Sequence, residues 1–177
     1  MNCVILSGVH GVGKGFFLNK IRDNIFNYNI YTASELIEQY KSSTDAGYKK
    51  VSNIYNNQEL LVKAIDEVKG NHSETFILDG HLCLFNAINE VERIPEKYIK
   101  RMNVVGIILL QDNPVVISER INQRDGQHID ISDIEQMQVQ EKQYAEELNE
   151  SLHIGYEIIT HDCSCREFED IMKKNWR

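Results

Sequence analysis

The chain has 177 residues, 42% hydrophobic and 26% charged, and its 19 Lys and Arg against 27 Asp and Glu leave a formal net charge of −8. That length supports one domain with its own core and no need of disulfides or metals, and the negative balance excludes nucleic acid as a main partner, because phosphate-backbone affinity comes from Lys and Arg. No run approaches the roughly 20 apolar residues that cross a bilayer, and glycines interrupt the N-terminal apolar run where a signal peptide would need continuity, so a cytoplasmic protein without membrane association is expected.

Short β-rich runs alternate with longer helical ones, the pattern of βαβ units around a parallel sheet. The first strand is expected over residues 3–6, followed by GVHGVGK and a helix from Lys14 to about Ile25. A second strand over 29–31 leads into a helix opened by Thr32 and Glu35 at capping-box spacing, in which a hydroxyl and a Glu satisfy free N–H groups reciprocally. Turns are expected at Ala46–Gly47 and at Gly70, and a third strand over 75–78. After a fourth strand over 104–110, Asn113 and Pro114 read as an N-cap and an N1 proline. Beyond a turn at Asp125–Gly126, Ser132 and Glu135 suggest another capping box. The helix they open carries Ile134, Met137, Tyr144, Ala145, Leu148 and Leu152 at helical spacing, with the Asp, Glu and Gln between them as a solvated face. A fifth strand over 156–159 precedes a third box at Ser164 and Glu167.

There is no repeat, low-complexity tract or linker, and the chain has only two prolines, so residues 1–177 read as a single α/β domain. Cys3 and Cys83 lie in apolar runs and read as core residues. Cys163 and Cys165 form a CxC with no second ligand pair at zinc spacing, so no metal or redox role is assigned to them.

The segment from Gly8 to Lys14 satisfies GxxxxGK, with a strand before it and a helix after it as the phosphate-binding P-loop requires. Glycines let the backbone curl so that successive N–H groups point inward, and the helix adds its positive N-terminal end. Lys14 then neutralises the β- and γ-phosphates of ATP. The Ser or Thr that commonly follows the lysine is missing: Gly15 and Phe16 stand there instead.

This GxxGxGKG form resembles the loop of adenylate kinases and other nucleoside monophosphate kinases, with Phe16 where those enzymes have Thr. The resemblance implies a three-layer P-loop NTPase fold, a five-stranded parallel sheet with helices on both faces. It also implies an ATP site made of Gly8, His10, Gly11, Val12, Gly13, Lys14, Gly15 and Phe16. His10 occupies a slot that is often Pro, and both a loop-shaping and a phosphate-contacting role stand open for it. "YTASELI", residues 31–37, is similar to the start of the monophosphate-binding segment, which places Thr32 and Glu35 at the acceptor. "FILDGH", residues 76–81, resembles FLLDG, whose Asp acts near Mg²⁺, often through water; that assigns Asp79, and a carboxylate at a strand's C-terminal edge suits a hard cation. The alternative for Asp79 is a turn residue before Gly80.

"ISERINQRDG", residues 117–126, resembles the helix entering the lid, with Arg120 and Arg124 spaced i, i+4 on one face; a surface pair is the alternative. "IITHDCS", residues 158–164, falls where the last strand of such enzymes leads to the adenine, so His161 joins the nucleotide-binding set. The short lid, within about 120–132, and an acceptor-binding insertion at about 31–70 resemble archaeal-type adenylate kinases and related small ATP-binding P-loop kinases. Two departures stand out. No arginine lies in residues 31–40, and FPR does not follow Asp79, which leaves His81 and Arg93 of "EVERIPEKY" as acceptor candidates.

The expected function is transfer of the γ-phosphoryl group of ATP, with Mg²⁺, to a nucleoside monophosphate, with Lys14, Arg120 and Arg124 as catalytic residues. The alternatives are a kinase of a nucleoside or other small metabolite and, because of Phe16, an ATP-binding switch with little turnover.

Overall fold

In the computed structural model, the described residues are 2–22, 28–43, 54–69, 75–86, 90–126, 128–174 and 176. The central strand β1 (Cys3–Ser7) is buried along its whole length, which is why it reads as an unbroken apolar run rather than an alternating one. It is flanked by β3 (Phe76–Asp79) and β6 (Val104–Leu110), with β2 (Asn29–Thr32) and β7 (Gly155–Ile159) outside them. The order is β2-β3-β1-β6-β7, and every pairing is parallel. This is the five-stranded α/β P-loop NTPase-like fold that the sequence implied.

The helices are α1 (Lys14–Ile21), α2 (Ala33–Ser43), α3 (Ile54–Lys69), α4 (Glu96–Arg101), α5 (Pro114–Asp125), α6 (Ile131–Leu152) and α7 (Cys165–Met172). From β1 the chain moves one way to β2, then crosses back past β1 to β6 and β7. Right-handed crossovers therefore put α1 on one face of the sheet and α3 to α6 on the other. Phe17 of α1 meets Phe168 of α7 edge-on at 5.5 Å. On the opposite face Arg101 of α4 holds Glu59 of α3 through two bonds of 2.6 and 2.9 Å. Cys3 and Cys83 are fully buried in the core.

Local start signals divide instructively. Asn113 accepts from the Val115 N–H at 2.9 Å with Pro114 as the first helical residue, and the Ser164–Glu167 box is complete in both directions. The Ser132–Glu135 box is not formed. The N-cap of α6 is Asp130, whose backbone is extended, so Ser132 already lies inside the helix and is not its N-cap. The "EVERIPEKY" segment, to which the sequence assigned no strand or helix, forms β5 (Val91–Arg93), which pairs antiparallel with β4 (Cys83–Phe85), and then α4. That small hairpin depends on a partner strand, which no local pattern announces. Gly126, at φ 64°, closes α5 as expected of its turn. The expected turns at Ala46–Gly47 and Gly70, and the end of the first helix near Ile25, lie outside the described residues. Among the described residues no helix is long and apolar enough to cross a membrane.

Candidate functional site

β1 ends at Ser7 and α1 begins at Lys14, so the GVHGVGK loop emerges at the C-terminal edge of the sheet, where the crossover direction reverses. Its path requires glycine at two points. Gly11 has φ 80°, and a Cβ there would fall into the Ile121 side chain; Gly13, the N-cap of α1, has φ 96°, and a Cβ would lie 3.0 Å from the His161 ring. Between them the Val12 carbonyl is turned back into the protein, accepting from Arg120 Nη1 at 3.0 Å and His161 Nε2 at 2.7 Å. Arg120 also donates to Asp112 at 2.7 Å. Arg120, His161 and Asp112 thus brace the underside of the loop. His161 Nδ1 has no hydrogen-bond partner among the described residues.

Lys14 is 7% exposed. Its ammonium donates to the Gly8 carbonyl at 2.8 Å and to His81 Nε2 at 3.0 Å, with Asp79 Oδ1 at 3.9 Å. Burial pulls its pKa down, against the pull of the Asp79 and Glu141 charges. Asp79 pairs with Leu6 of β1, which sets its carboxylate beside the loop. Burial raises its pKa, partly countered by Lys14 and reinforced by Glu35. Burial, then the charge of Lys14, then that of His10, hold the pKa of His81 well below the ordinary imidazole value, so this ring is neutral near pH 7.

These groups open into a cavity of about 630 Å³ whose walls include His10, Gly11, Gly13, Lys14, Gly15, Phe16, Thr32, Asp79, His81, Arg120 and Arg124. Most of the expected site residues are therefore in one place. Gly8 contributes the carbonyl that holds Lys14, Val12 is buried beneath the loop, and His161 stands behind Gly13. Glu35 is exposed and is not among the described residues lining the cavity, although its charge acts on Asp79. Arg93 is elsewhere: it donates to Glu147 at 2.6 Å and Gln140 at 3.4 Å and lies 4.9 Å over the Tyr144 ring. Arg124 donates to His10 Nε2 at 2.6 Å and to both Asp125 oxygens at 2.7 Å, and the guanidinium holds the Asp125 pKa down at about 2.

Phe17 is fully buried and Phe16 is 72% exposed at the cavity mouth, so the ring that replaces the expected hydroxyl contributes little to the core. A Cβ on Gly15 would meet nothing within 4 Å.

One functional neighbour escaped the sequence reading. Glu141, assigned to the solvated face of α6, is 0% exposed. Its Oε1 accepts from the Ser7 hydroxyl and, at 2.9 Å, from the Leu82 N–H; its Oε2 accepts from the Cys83 N–H at 2.9 Å. The carboxylate thereby ties the end of β1 to the segment that carries His81. The signal was present, since position 141 follows Met137 by four and precedes Tyr144 by three, on the apolar stripe itself.

Among the described residues no group of three or more His, Cys, Asp or Glu could by itself enclose a metal. One carboxylate at a phosphate loop nevertheless fits Mg²⁺, which keeps several waters and takes its remaining ligands from substrate phosphates.

A profile of the AAA domain family matches residues 7–138. A search of curated proteins finds no match. Among solved structures, a tunicamycin resistance protein from Deinococcus radiodurans is similar, with 14% identity, 86% of this chain and 96% of that chain covered, and a TM-score of 0.56. An uncharacterized protein from Eubacterium ventriosum aligns over 99% of this chain and 100% of that chain at 14% identity and a TM-score of 0.51. A gluconokinase from Sinorhizobium meliloti aligns over 94% and 86% at 14% identity and a TM-score of 0.47. The first two of these structures share the fold.

Proposed function

The chain belongs to the AAA domain family, and from that premise we propose that it is an ATP- and Mg²⁺-dependent phosphotransferase acting on a small-molecule acceptor. The observation that carries this reading is the convergence of Lys14, Asp79 and His81 at the mouth of the glycine loop, with Arg120 and Arg124 on the wall of the same cavity.

In this reading the loop N–H groups and the start of α1 receive the phosphates, and Lys14 exchanges its bonds to Gly8 and His81 for bonds to phosphate oxygens. Asp79 holds the magnesium ion, directly or through water; when bound, the ion neutralises charge on the β- and γ-phosphates. Arg120 keeps the loop in its phosphate-accepting shape, and Arg124, released from Asp125, reaches the transferring group. Phe16 and Gly15 leave the backbone cradle intact.

The acceptor is argued from the cations. A nucleoside monophosphate needs a grip on its own phosphate, and Arg93, the candidate for it, is engaged with Glu147 away from the cavity. That favours a nucleoside or other metabolite as acceptor. The test is ADP formation from ATP and Mg²⁺ against a panel of nucleoside monophosphates, nucleosides and small alcohols, with products resolved by chromatography. Acceptor-dependent ADP formation supports the phosphotransferase. ATP binding with no turnover on any acceptor replaces it with the switch.

A further inference from the structure

We propose that Glu141 is a positioning residue for the phosphate loop: its buried carboxylate keeps in register the two groups that hold the Lys14 ammonium, and so fixes where that cation meets a nucleotide. The consequence for nucleotide rests on the phosphotransferase reading. It deepens that reading by naming a residue outside the cavity wall on which the grip of the loop depends.

A lysine does not place its own charge. The ammonium rides on a flexible four-carbon stem with rotating donors, so the acceptors around it decide where it rests. For Lys14 these are the Gly8 carbonyl at 2.8 Å and His81 Nε2 at 3.0 Å. Gly8 follows the last residue of β1, and His81 lies just past the end of β3. Each adjoins a residue that Glu141 binds. Ser7, before Gly8, gives its hydroxyl to Glu141 Oε1, and Leu82, after His81, gives its N–H to the same oxygen at 2.9 Å. The Cys83 N–H adds a bond of 2.9 Å to Oε2. Leu82 is fixed on its other side as well, since its carbonyl accepts from the Ile94 N–H at 2.8 Å. One carboxylate oxygen of α6 therefore sets the spacing between the two neighbours of the Lys14 acceptors.

The residue type follows from the partners. All three groups on Glu141 are donors, and an ionised carboxylate only accepts. A Gln of the same shape has to turn its NH2 toward one of them, which breaks the tie on one side. Ser7 and Glu141 are both 0% exposed, and a carboxylate so deeply buried is tolerated only where hydrogen bonds replace its hydration. An apolar side chain on this stripe of α6 would cover the sheet without that cost. What the carboxylate adds is the link between Ser7 and the segment that carries His81.

The experiment reads the lysine directly. Proton–nitrogen NMR of the lysine ammonium groups in the full chain, without nucleotide, is expected to show one slowly exchanging signal from a lysine only 7% exposed, assigned by its loss in Lys14→Ala. Glu141→Gln and Ser7→Ala are expected to shift that signal or broaden it into exchange with water. Ile99→Ala, a cavity-forming change in α4 that removes none of these bonds, lowers Tm and is expected to leave it in place. Titration with ATP and Mg²⁺, well below each Tm, is then expected to show Kd raised by about tenfold in Glu141→Gln, the equivalent of about 1.4 kcal/mol, and by a smaller factor in Ser7→Ala. Should Glu141→Gln not fold, Ser7→Ala carries the test alone, because it removes one tie and strands no backbone N–H. No protected Lys14 signal in the parent protein, an unchanged signal in the folded variants, or its equal loss in Ile99→Ala overturns the positioning role. So does unchanged ATP affinity in variants whose signal has moved. A parent protein that shows the signal and its expected losses but binds no ATP overturns the phosphotransferase reading instead, and leaves the hold of Glu141 on Lys14 standing.

Discussion

Lys14 donates to His81 across 3.0 Å, so the cation of the phosphate loop is held by a neutral imidazole, while the nearest carboxylate, Asp79, stands at 3.9 Å. A neutral partner is a weaker competitor for the ammonium than a close carboxylate would be, because charge-assisted pairs are the stronger ones. The lysine is thus stored next to the loop in a form that phosphate displaces readily.

Lys14→Ala is therefore expected to abolish most of the stabilisation by ATP. Ligand binding to the native state contributes RT ln(1 + [L]/Kd), about 2.7 kcal/mol at a hundredfold excess over Kd, so thermal melts with and without ATP and Mg²⁺ read the loss directly. An ATP-induced shift equal to that of the parent protein rules out the assignment.

Arg120 and Arg124 are expected to separate. Arg120 supports the loop through Val12 and Asp112, whereas Arg124 is engaged at the exposed rim with His10 and Asp125. Arg120→Ala should weaken ATP binding and lower turnover together. Arg124→Ala should lower kcat by about tenfold or more with a smaller effect on ATP affinity, as a residue acting on the transferring phosphate does. Steady-state kinetics on both variants decides; identical effects on KM for ATP would argue against the division.

Phe16→Thr should leave stability nearly unchanged, since the ring is 72% exposed. The restored hydroxyl offers one phosphate hydrogen bond, about 0.5–1.5 kcal/mol net, so ATP affinity or turnover should rise by up to about tenfold. Isothermal titration with ATP and Mg²⁺ measures the first, and weaker binding by the folded variant counts against the argument.

Glu141→Ala should be among the costly single substitutions in the molecule. It strands the Leu82 and Cys83 N–H groups and the Ser7 hydroxyl in the interior. Losing charge-assisted bonds and leaving buried donors unpaired costs roughly 3 kcal/mol. At about 2–4 °C per kcal/mol for a chain of this size, Tm should fall by roughly 6–12 °C. A fall within a degree or two by calorimetry would mean that water replaces the carboxylate.

The pH dependence follows from His81, whose pKa is depressed by burial and by the charges of Lys14 and His10. Above the unfolded imidazole value of about 6.5 neither state is protonated there and the contribution is level. Below it the unfolded chain takes a proton that the folded ring refuses, so stability falls with pH until the folded pKa is passed. Thermal melts between pH 7.5 and 5 should therefore decline more steeply for the parent protein than for His81→Gln. Parallel slopes would place the folded pKa of His81 near its ordinary value.

The sequence by itself determined the elements whose causes are local. The unbroken apolar run at 3–6, the glycines at 11 and 13 with Lys14 behind them, and the caps at Asn113 and Ser164 each state their conformation within a few residues, and the alternation of strands and helices then implied the parallel sheet. What lies far apart in the chain was settled only by folding. The β4–β5 hairpin exists because Cys83 and Arg93 are brought into register, and Arg93 turns from an acceptor candidate into a partner of Glu147 because α6 passes beside it. Glu141 becomes a buried tie because Ser7, 134 residues away, ends its strand there. Helical periodicity marks which face of α6 is covered, but not that three donors converge on one position of it. Such convergence is a property of tertiary packing, and it is what sets Lys14, Asp79 and His81 around one loop.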